Sequence, residues 1–177
     1  MSLWTLCEKV VEATKAKFPN VFAQGDAFGG DFTLAEAMRH SKRLPAFFVT
    51  VQRTTEDRPK GGHRAYVALV VVTKSTTAEE RSPLVMRLVS AVLAWLPGQT
   101  FGYDKVVYGA EEVESRNLYG ASADAKGVAL WVITWVTVLD LDDEDDPDLP
   151  PATIHAEWDL ENGGDPIEKV DEIDLQE

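Results

Sequence analysis

The stretch Gly127-Val-Ala-Leu-Trp-Val-Ile-Thr-Trp-Val-Thr-Val-Leu139 consists almost entirely of β-branched, aromatic and aliphatic residues. Such residues suit a pleated sheet, and here neither the even-numbered nor the odd-numbered face of the strand is polar. The pattern predicts a central strand covered on both sides, or a long hairpin arm whose far end leaves the sheet. A buried helix is disfavoured by the β-branched run and by Gly127 at its boundary.

Three further strands are predicted from apolar runs bounded by turn residues. They are Ala46–Val51, His63–Lys74 and Lys105–Val113. The first two would form an antiparallel hairpin with the charged loop Arg53–Gly62 at its tip. The third would pair with the long strand across a polar loop, Ser115–Lys126. The glycine-containing stretch Val21–Asp31 is interpreted as a loop.

Two main helices and one short helix are predicted from apolar spacing. Leu3–Phe18 carries one apolar stripe, while Trp4 and Val11 lie off it and either widen the core face or meet a neighbouring subunit. A capping-box pattern opens a short helix from Leu34 to about Lys42. The elements together predict an α+β fold: a mostly antiparallel sheet of about four strands with two main helices packed on it.

The helix that ends at Leu96 is apolar nearly all round. It begins at Pro83 behind a Ser82 cap, or one turn earlier at Thr77. A helix with so little polar surface is either deeply buried or covered by a partner.

Charge divides the chain into a body and an acidic extension. The net charge is −13, and residues 142–177 alone contribute −14, leaving +1 for residues 1–141. We therefore predict a domain over 1–141 and an acidic C-terminal extension over 142–177.

The single cysteine, Cys7, excludes an internal disulfide and fits a reducing compartment. No signal peptide or membrane-spanning segment is expected.

The residues that commonly carry catalysis form no recognisable set. The three histidines, His40, His63 and His155, lie in different elements, and Cys7 falls on the apolar side of a helix. The acidic run Asp142–Asp146 lacks the spacing of a calcium-binding loop. We expect no enzyme activity, no cofactor and no metal site.

The order of elements resembles the tail-terminator proteins of long-tailed phages, in particular the Mu-like prophage family. The resemblance covers residues 1–141 and depends on four features. They are the helix Leu3–Phe18, the strand start Leu44-Pro-Ala-Phe-Phe-Val-Thr50, the helix Pro83–Leu96 followed by Pro97-Gly98, and the closing hairpin Val106–Leu139.

The resemblance implies a structural virion protein of the tail or neck, assembled in the host cytoplasm. It would form a ring, of six copies in this family, that caps the tail tube, ends tail polymerisation and joins the tail to the head. Its partners would be copies of itself, the tail tube protein, head–tail connector or neck proteins, and in contractile tails the sheath. Genomic DNA would pass through the ring without specific binding.

Our hypothesis for the ring is that the two charged loops reach axially or into neighbouring subunits. The candidate interface residues are Arg53, Arg58, Lys60, His63, Arg116, Tyr119, Lys126 and Trp158. Two other functions stay open from the sequence. One is another phage neck protein, such as a stopper or completion protein. The other is a binding module whose acidic tail mimics DNA.

Overall fold

The computed structural model describes residues 3–30, 34–57, 59–74, 78–118 and 127–141. The acidic extension predicted from residue 142 onward lies outside these ranges. The described residues form three helices and five strands. In chain order these are α1 (Leu3–Lys17), β1 (Gln24–Ala27), α2 (Leu34–His40), β2 (Ala46–Asp57), β3 (Gly62–Lys74), α3 (Ala78–Trp95), β4 (Val106–Asn117) and β5 (Val128–Leu139).

The strands form one mixed sheet in the order β1-β2-β3-β5-β4. All neighbouring pairs are antiparallel except β1 and β2, which are parallel. The predicted α+β fold with a mostly antiparallel sheet and two main helices is confirmed. The sheet has five strands rather than about four.

The long strand β5 lies inside the sheet, between β3 and β4. It pairs with β3 along its whole length, from Lys74 opposite Val128 to His63 opposite Leu139. The interior-strand interpretation is therefore confirmed, and no arm of β5 leaves the sheet.

The odd-numbered face of β5 packs against the helix layer. Its residues Ile133 and Trp135 are buried in one cluster with side chains of α1, β3 and α3. Aromatic contacts connect this layer, because the Phe101 ring lies 5.8 Å from Trp135 and 6.1 Å from Trp95. On α1, Val11 joins the core, whereas Trp4 stays exposed and donates a hydrogen bond from Nε1 to Glu8 Oε1 at 3.0 Å. The helix layer thus covers one face of the apolar strand.

The even-numbered face of β5 belongs to a second buried cluster. Phe28 and Leu44, from the chain on either side of α2, pack against it. Its buried members are Ala46, Phe48, Ala68, Val70, Val72, Val128, Leu130 and Val132. Both faces of β5 are thus buried in this half of the strand, as its composition requires.

The charged loop predicted at Arg53–Gly62 is wrong for most of its length. Strand β2 continues to Asp57 through a bulge between Val51 and Arg53, and β3 begins at Gly62. The backbone N–H of Lys60 donates to the Asp57 carbonyl at 3.2 Å and closes a short turn. The threonine pair Thr54-Thr55 suits an extended strand, and cross-strand pairing outweighs the local charge.

The loop prediction for Val21–Asp31 missed β1. This strand pairs in register with the start of β2, with Gly25 opposite Phe47. A side chain at Gly25 would collide with the Phe47 ring, so the glycine permits close packing rather than breaking the strand. Strand β4 is also longer than predicted, since it continues past Val113 to Asn117.

The apolar helix α3 begins at Ala78, which favours the earlier of its two predicted starts. Pro83 lies inside the helix near its N-terminal end. The helix is buried on one side only: Val85, Val89 and Val92 face the core, and the opposite side is exposed. Its near-uniform apolarity therefore leaves uncovered surface on the isolated chain.

Candidate functional site

One exposed surface lies along β1, at one edge of the sheet. The Trp4 side chain is 48% exposed and lies beside Gly29, just after β1. Val21, just before β1, is also exposed. We call this surface, together with the basic cavity described next, the β1 side. Large exposed apolar side chains that share one region are typical of an interaction surface.

A cavity of about 160 Å³ runs along the β1 side. Lys15 and Arg43 line it and make no ion pair with any described residue. Gln24 holds the chain that carries Arg43, because its Oε1 accepts hydrogen bonds from the backbone N–H groups of Lys42 at 3.0 Å and Arg43 at 3.2 Å. The lining also includes Asp26, whose Oδ2 accepts a hydrogen bond from Gln24 Nε2 at 2.7 Å. The cavity therefore presents two cations and one carboxylate next to the aromatic rings of Phe18 and Phe22.

A second exposed surface lies at the opposite edge, along β4. Val107 on this edge strand is 49% exposed. The strand is interrupted by three register shifts, which discourage addition of another strand. The segment after α3 covers part of the edge: Gly98 N–H donates to the Ala110 carbonyl at 2.8 Å, and Ala110 N–H donates to Gln99 at 3.0 Å. Gly109 lacks a side chain that would collide with the Gly98 carbonyl.

Met86 on α3 is 50% exposed. At about 100° per residue, Leu84 and Met86 lie on opposite flanks of α3, and Trp95 shares the Leu84 flank. The Trp95 ring contacts Phe18 at the end of α1, with 5.6 Å between centroids. Because α1 packs over β1 and β2 whereas α3 packs over β3, β5 and β4, the Met86 flank points away from α1.

Strand β4 carries three glutamates against one basic residue, Arg116. Glu111 pairs with Lys60 at 2.7 Å, and Glu112 pairs with Arg64 at 2.5 Å. The third, Glu114, is exposed and makes no ion pair with any described residue. We call Met86, Val107 and these glutamates the β4 side. The two sides of the sheet therefore differ in charge as well as in shape.

Cations and tyrosines form a band on the sheet face opposite the helices. The Arg53 guanidinium stacks 4.0 Å from the Tyr66 ring centroid, and Lys60 Nζ lies 4.3 Å from that of Tyr108. The hydrogen bonds that Lys60 donates to Glu111 and Arg64 donates to Glu112 raise the pKa of both basic groups. These cations are held within the domain, and such cation–π contacts at exposed sites are each worth about 0.5–1 kcal/mol.

A cavity of about 340 Å³ separates this band from the second apolar cluster. Its buried floor is apolar and includes Ala68, Val70 and Val132. Polar side chains surround it, among them Gln52, Glu114 and Arg116. The cavity opens on the sheet face that carries the cation–tyrosine band and extends to Glu114 on the β4 side.

The structure brings only part of the predicted interface set together. Arg53 and Lys60 lie in the cation–tyrosine band, and Arg116 lines the larger cavity on the same face. His63 pairs with Leu139 and lies on the helix-layer face instead. The remaining four, Arg58, Tyr119, Lys126 and Trp158, lie outside the described residues. The part that any of these side chains plays in an interface stays a prediction.

Sequence reasoning missed three members of the cation–tyrosine band, namely Arg64, Tyr66 and Tyr108. A signal was available for the first two, because Arg64 and Tyr66 alternate with the buried Ala65 and Val67 along β3. No such signal was available for the charged residues at the sheet edges, Lys15, Arg43 and Glu114. Their place on an exposed edge depends on the strand order, which the sequence does not give.

Cys7 is buried in the helix-layer core, as predicted. Burial raises the pKa of its thiol to about 11.

Among the described residues, no group of three or more histidine, cysteine or acidic side chains is placed to hold a metal ion. Within the same ranges, no helix has the length and apolarity needed to cross a bilayer.

Comparison with solved structures finds weak structural likeness. No family model matches the chain, and no curated protein matches it. A solved structure with a TM-score of 0.30 and 9% identity is the sheath/tube terminator of an extracellular contractile injection system in its extended state. The match covers 93% of this chain and 66% of that one. The likeness agrees only loosely with a terminator.

We predict that Cys7 resists thiol reagents in the folded chain. With a pKa of about 11 the buried thiol stays protonated at pH 8, whereas in the unfolded chain it ionises near the ordinary value of about 8.5. Mass spectrometry should show alkylation by iodoacetamide at pH 8 only in denaturant.

The raised pKa of Cys7 also makes the stability of the fold depend on pH. The unfolded chain loses the thiol proton first as pH rises above about 8.5, so this group weakens folding above that pH and has no effect below it. An Ala94→Cys variant, with its thiol on the exposed side of α3, provides the control and should react without denaturant. Rapid modification of Cys7 itself in the native chain would contradict its place in the core.

Proposed function

We propose that the chain is a structural subunit of a ring that caps a phage-type tail tube, ends its polymerisation and joins the tail to the head or neck. The observation that carries the proposal is the presence of two unlike exposed surfaces at opposite edges of one sheet. A ring forms when one surface of each subunit binds a different surface of the next, which is heterologous association. The β1 side and the β4 side supply such a pair.

The exposed side chains on these sides favour a protein partner over a small ligand. Trp4 and Met86 belong to residue types that are enriched at interface centres. A stable interface of standard size buries about 800 Å² per partner, which requires an extended side of a domain rather than one cavity. The chemistry of the described residues therefore supports assembly rather than catalysis, and we propose no enzyme activity.

The remaining partners follow from the family resemblance in the sequence. We propose that the ring consists of six copies and contacts the tail tube protein and a head–tail connector or neck protein, with the sheath as a further contact in a contractile tail. DNA would pass through its centre without specific binding. In support, Lys60 and Arg64 are paired with glutamates rather than free for phosphate. The proposed location is the tail or neck of the virion.

We predict that the native chain forms a six-membered ring with a central channel. Negative-stain images would show the ring, and light scattering would give six times the 19.5 kDa of one chain. Trp4→Ala should shift the mass toward one chain, because removing an interface tryptophan typically costs about 2 kcal/mol or more.

Glu8→Ala is the matched control for the ring experiment. It removes the hydrogen-bond acceptor of Trp4 Nε1 but keeps the indole ring, and the variant should still assemble. A native chain that stays at 19.5 kDa over a wide concentration range would overturn the ring.

Tail capping makes a separate prediction. Added to polymerising tail-tube protein, the native chain should bind tube ends and give shorter tubes of more uniform length, as measured by electron microscopy. The Trp4→Ala variant should leave tube lengths unchanged, because it cannot close the ring. Equal length distributions with and without the native chain would reject the capping role while leaving ring formation in place.

A further inference from the structure

We infer that the basic cavity on the β1 side of one copy receives the acidic β4 edge of the next copy. This inference rests on the proposed ring, and it identifies the two surfaces and the charges that join them. The occupant of the cavity is therefore a second copy of this chain, and its contacting element is strand β4 near Glu114.

Charge complementarity is the first reason for this assignment. Lys15 and Arg43 in the cavity, and Glu114 on β4, are ionised groups without an ion-pair partner among the described residues. Exposed Lys17 and Lys42 keep the surroundings of the cavity positive, although Asp26 also lines it. On β4, Glu111 and Glu112 are already paired with Lys60 and Arg64, so Glu114 is the carboxylate available to a partner cation. Opposite charges on facing surfaces select the partner and fix the register of an interface.

The position of apolar side chains is the second reason. Trp4 and Val21 on the β1 side, and Met86 and Val107 on the β4 side, are among the most exposed large apolar residues described. Docking one side against the other brings apolar groups together next to the ionic contacts. An interface with an apolar centre and a charged rim is the usual arrangement.

The chemistry of the two sides disfavours a two-fold dimer. Such a dimer places the same surface against itself, so the β4 side would bring glutamates together and the β1 side would bring Lys15 and Arg43 together. Like charges facing each other are costly at an interface. The unlike pairing gives opposite charges to the groups that have no ion-pair partner among the described residues, and it leaves a free β1 side and a free β4 side for the next copies.

A charge-exchange experiment tests the assignment. Arg43→Glu and Glu114→Lys should each weaken assembly by about tenfold or more, and the two together in one chain should restore most of it. The control is Arg87→Glu, on the exposed side of α3 and outside the proposed ion pair, which should assemble like the native chain. The measured quantity is the subunit concentration at half assembly, from light scattering. Circular dichroism of each variant reports whether the fold is retained.

Mixed crosslinking tests the direction of the contact. Ala23 lines the basic cavity and Ser115 adjoins Glu114, and both are exposed. A mixture of Ala23→Cys and Ser115→Cys chains should form crosslinked dimers with a short bismaleimide, whereas each variant alone should form none. The buried Cys7 contributes little background.

Each outcome of these two experiments has a distinct meaning. Restoration by charge exchange, together with crosslinks only in the mixture, supports the assignment. A native ring without restoration and without mixed crosslinks overturns the assigned surfaces but leaves the ring standing. Crosslinks in either variant alone indicate a two-fold contact and overturn the head-to-tail pairing. A native chain that never assembles overturns the proposed function and this inference together.

Discussion

Strand β5 is the constraint on which the rest of the structure depends, because neither of its faces can be left in water. Pairing with β3 along its full length places it inside the sheet. Helices α1 and α3 then cover one face, and the chain around Phe28 and Leu44 covers half of the other. Once these requirements are met, the uncovered positions lie at the two edges of the sheet and on the outer side of α3.

The edges differ because different helices reach them. Helix α1 packs over β1 and β2 and places Trp4 and Lys15 near one edge. Helix α3 packs over β3, β5 and β4, and its Met86 flank points away from α1. Strand β4 is bulged and acidic, so it resists adding a strand and favours a partner that offers cations. One domain thus carries two complementary sides, which is the geometric condition for a closed ring.

The sequence predicted those features that depend on local pattern. The apolar run of β5 and the helical spacing of α1 and α3 identified the main elements, because periodicity reports which faces are buried. β1 was missed since Gly25 looks like a loop residue until Phe47 is placed beneath it. Residues Arg53–Asp57 were predicted as a loop because they are mostly charged or polar. Their pairing with β3, which makes them a strand, cannot be inferred from their own composition. The basic cavity and Glu114 depend on strand order, which periodicity in one sequence does not give.

The most direct test of the account is the oxidation of Met86 by hydroxyl radicals, followed by mass spectrometry across a concentration series. Oxidation of methionine follows its exposure, and Met86 is 50% exposed on the single chain. The account predicts slow oxidation in the assembled protein and fast oxidation after dilution to single chains. A Met86 that oxidises at the same rate in both states would show that no copy of the chain covers the β4 side, and would contradict the account.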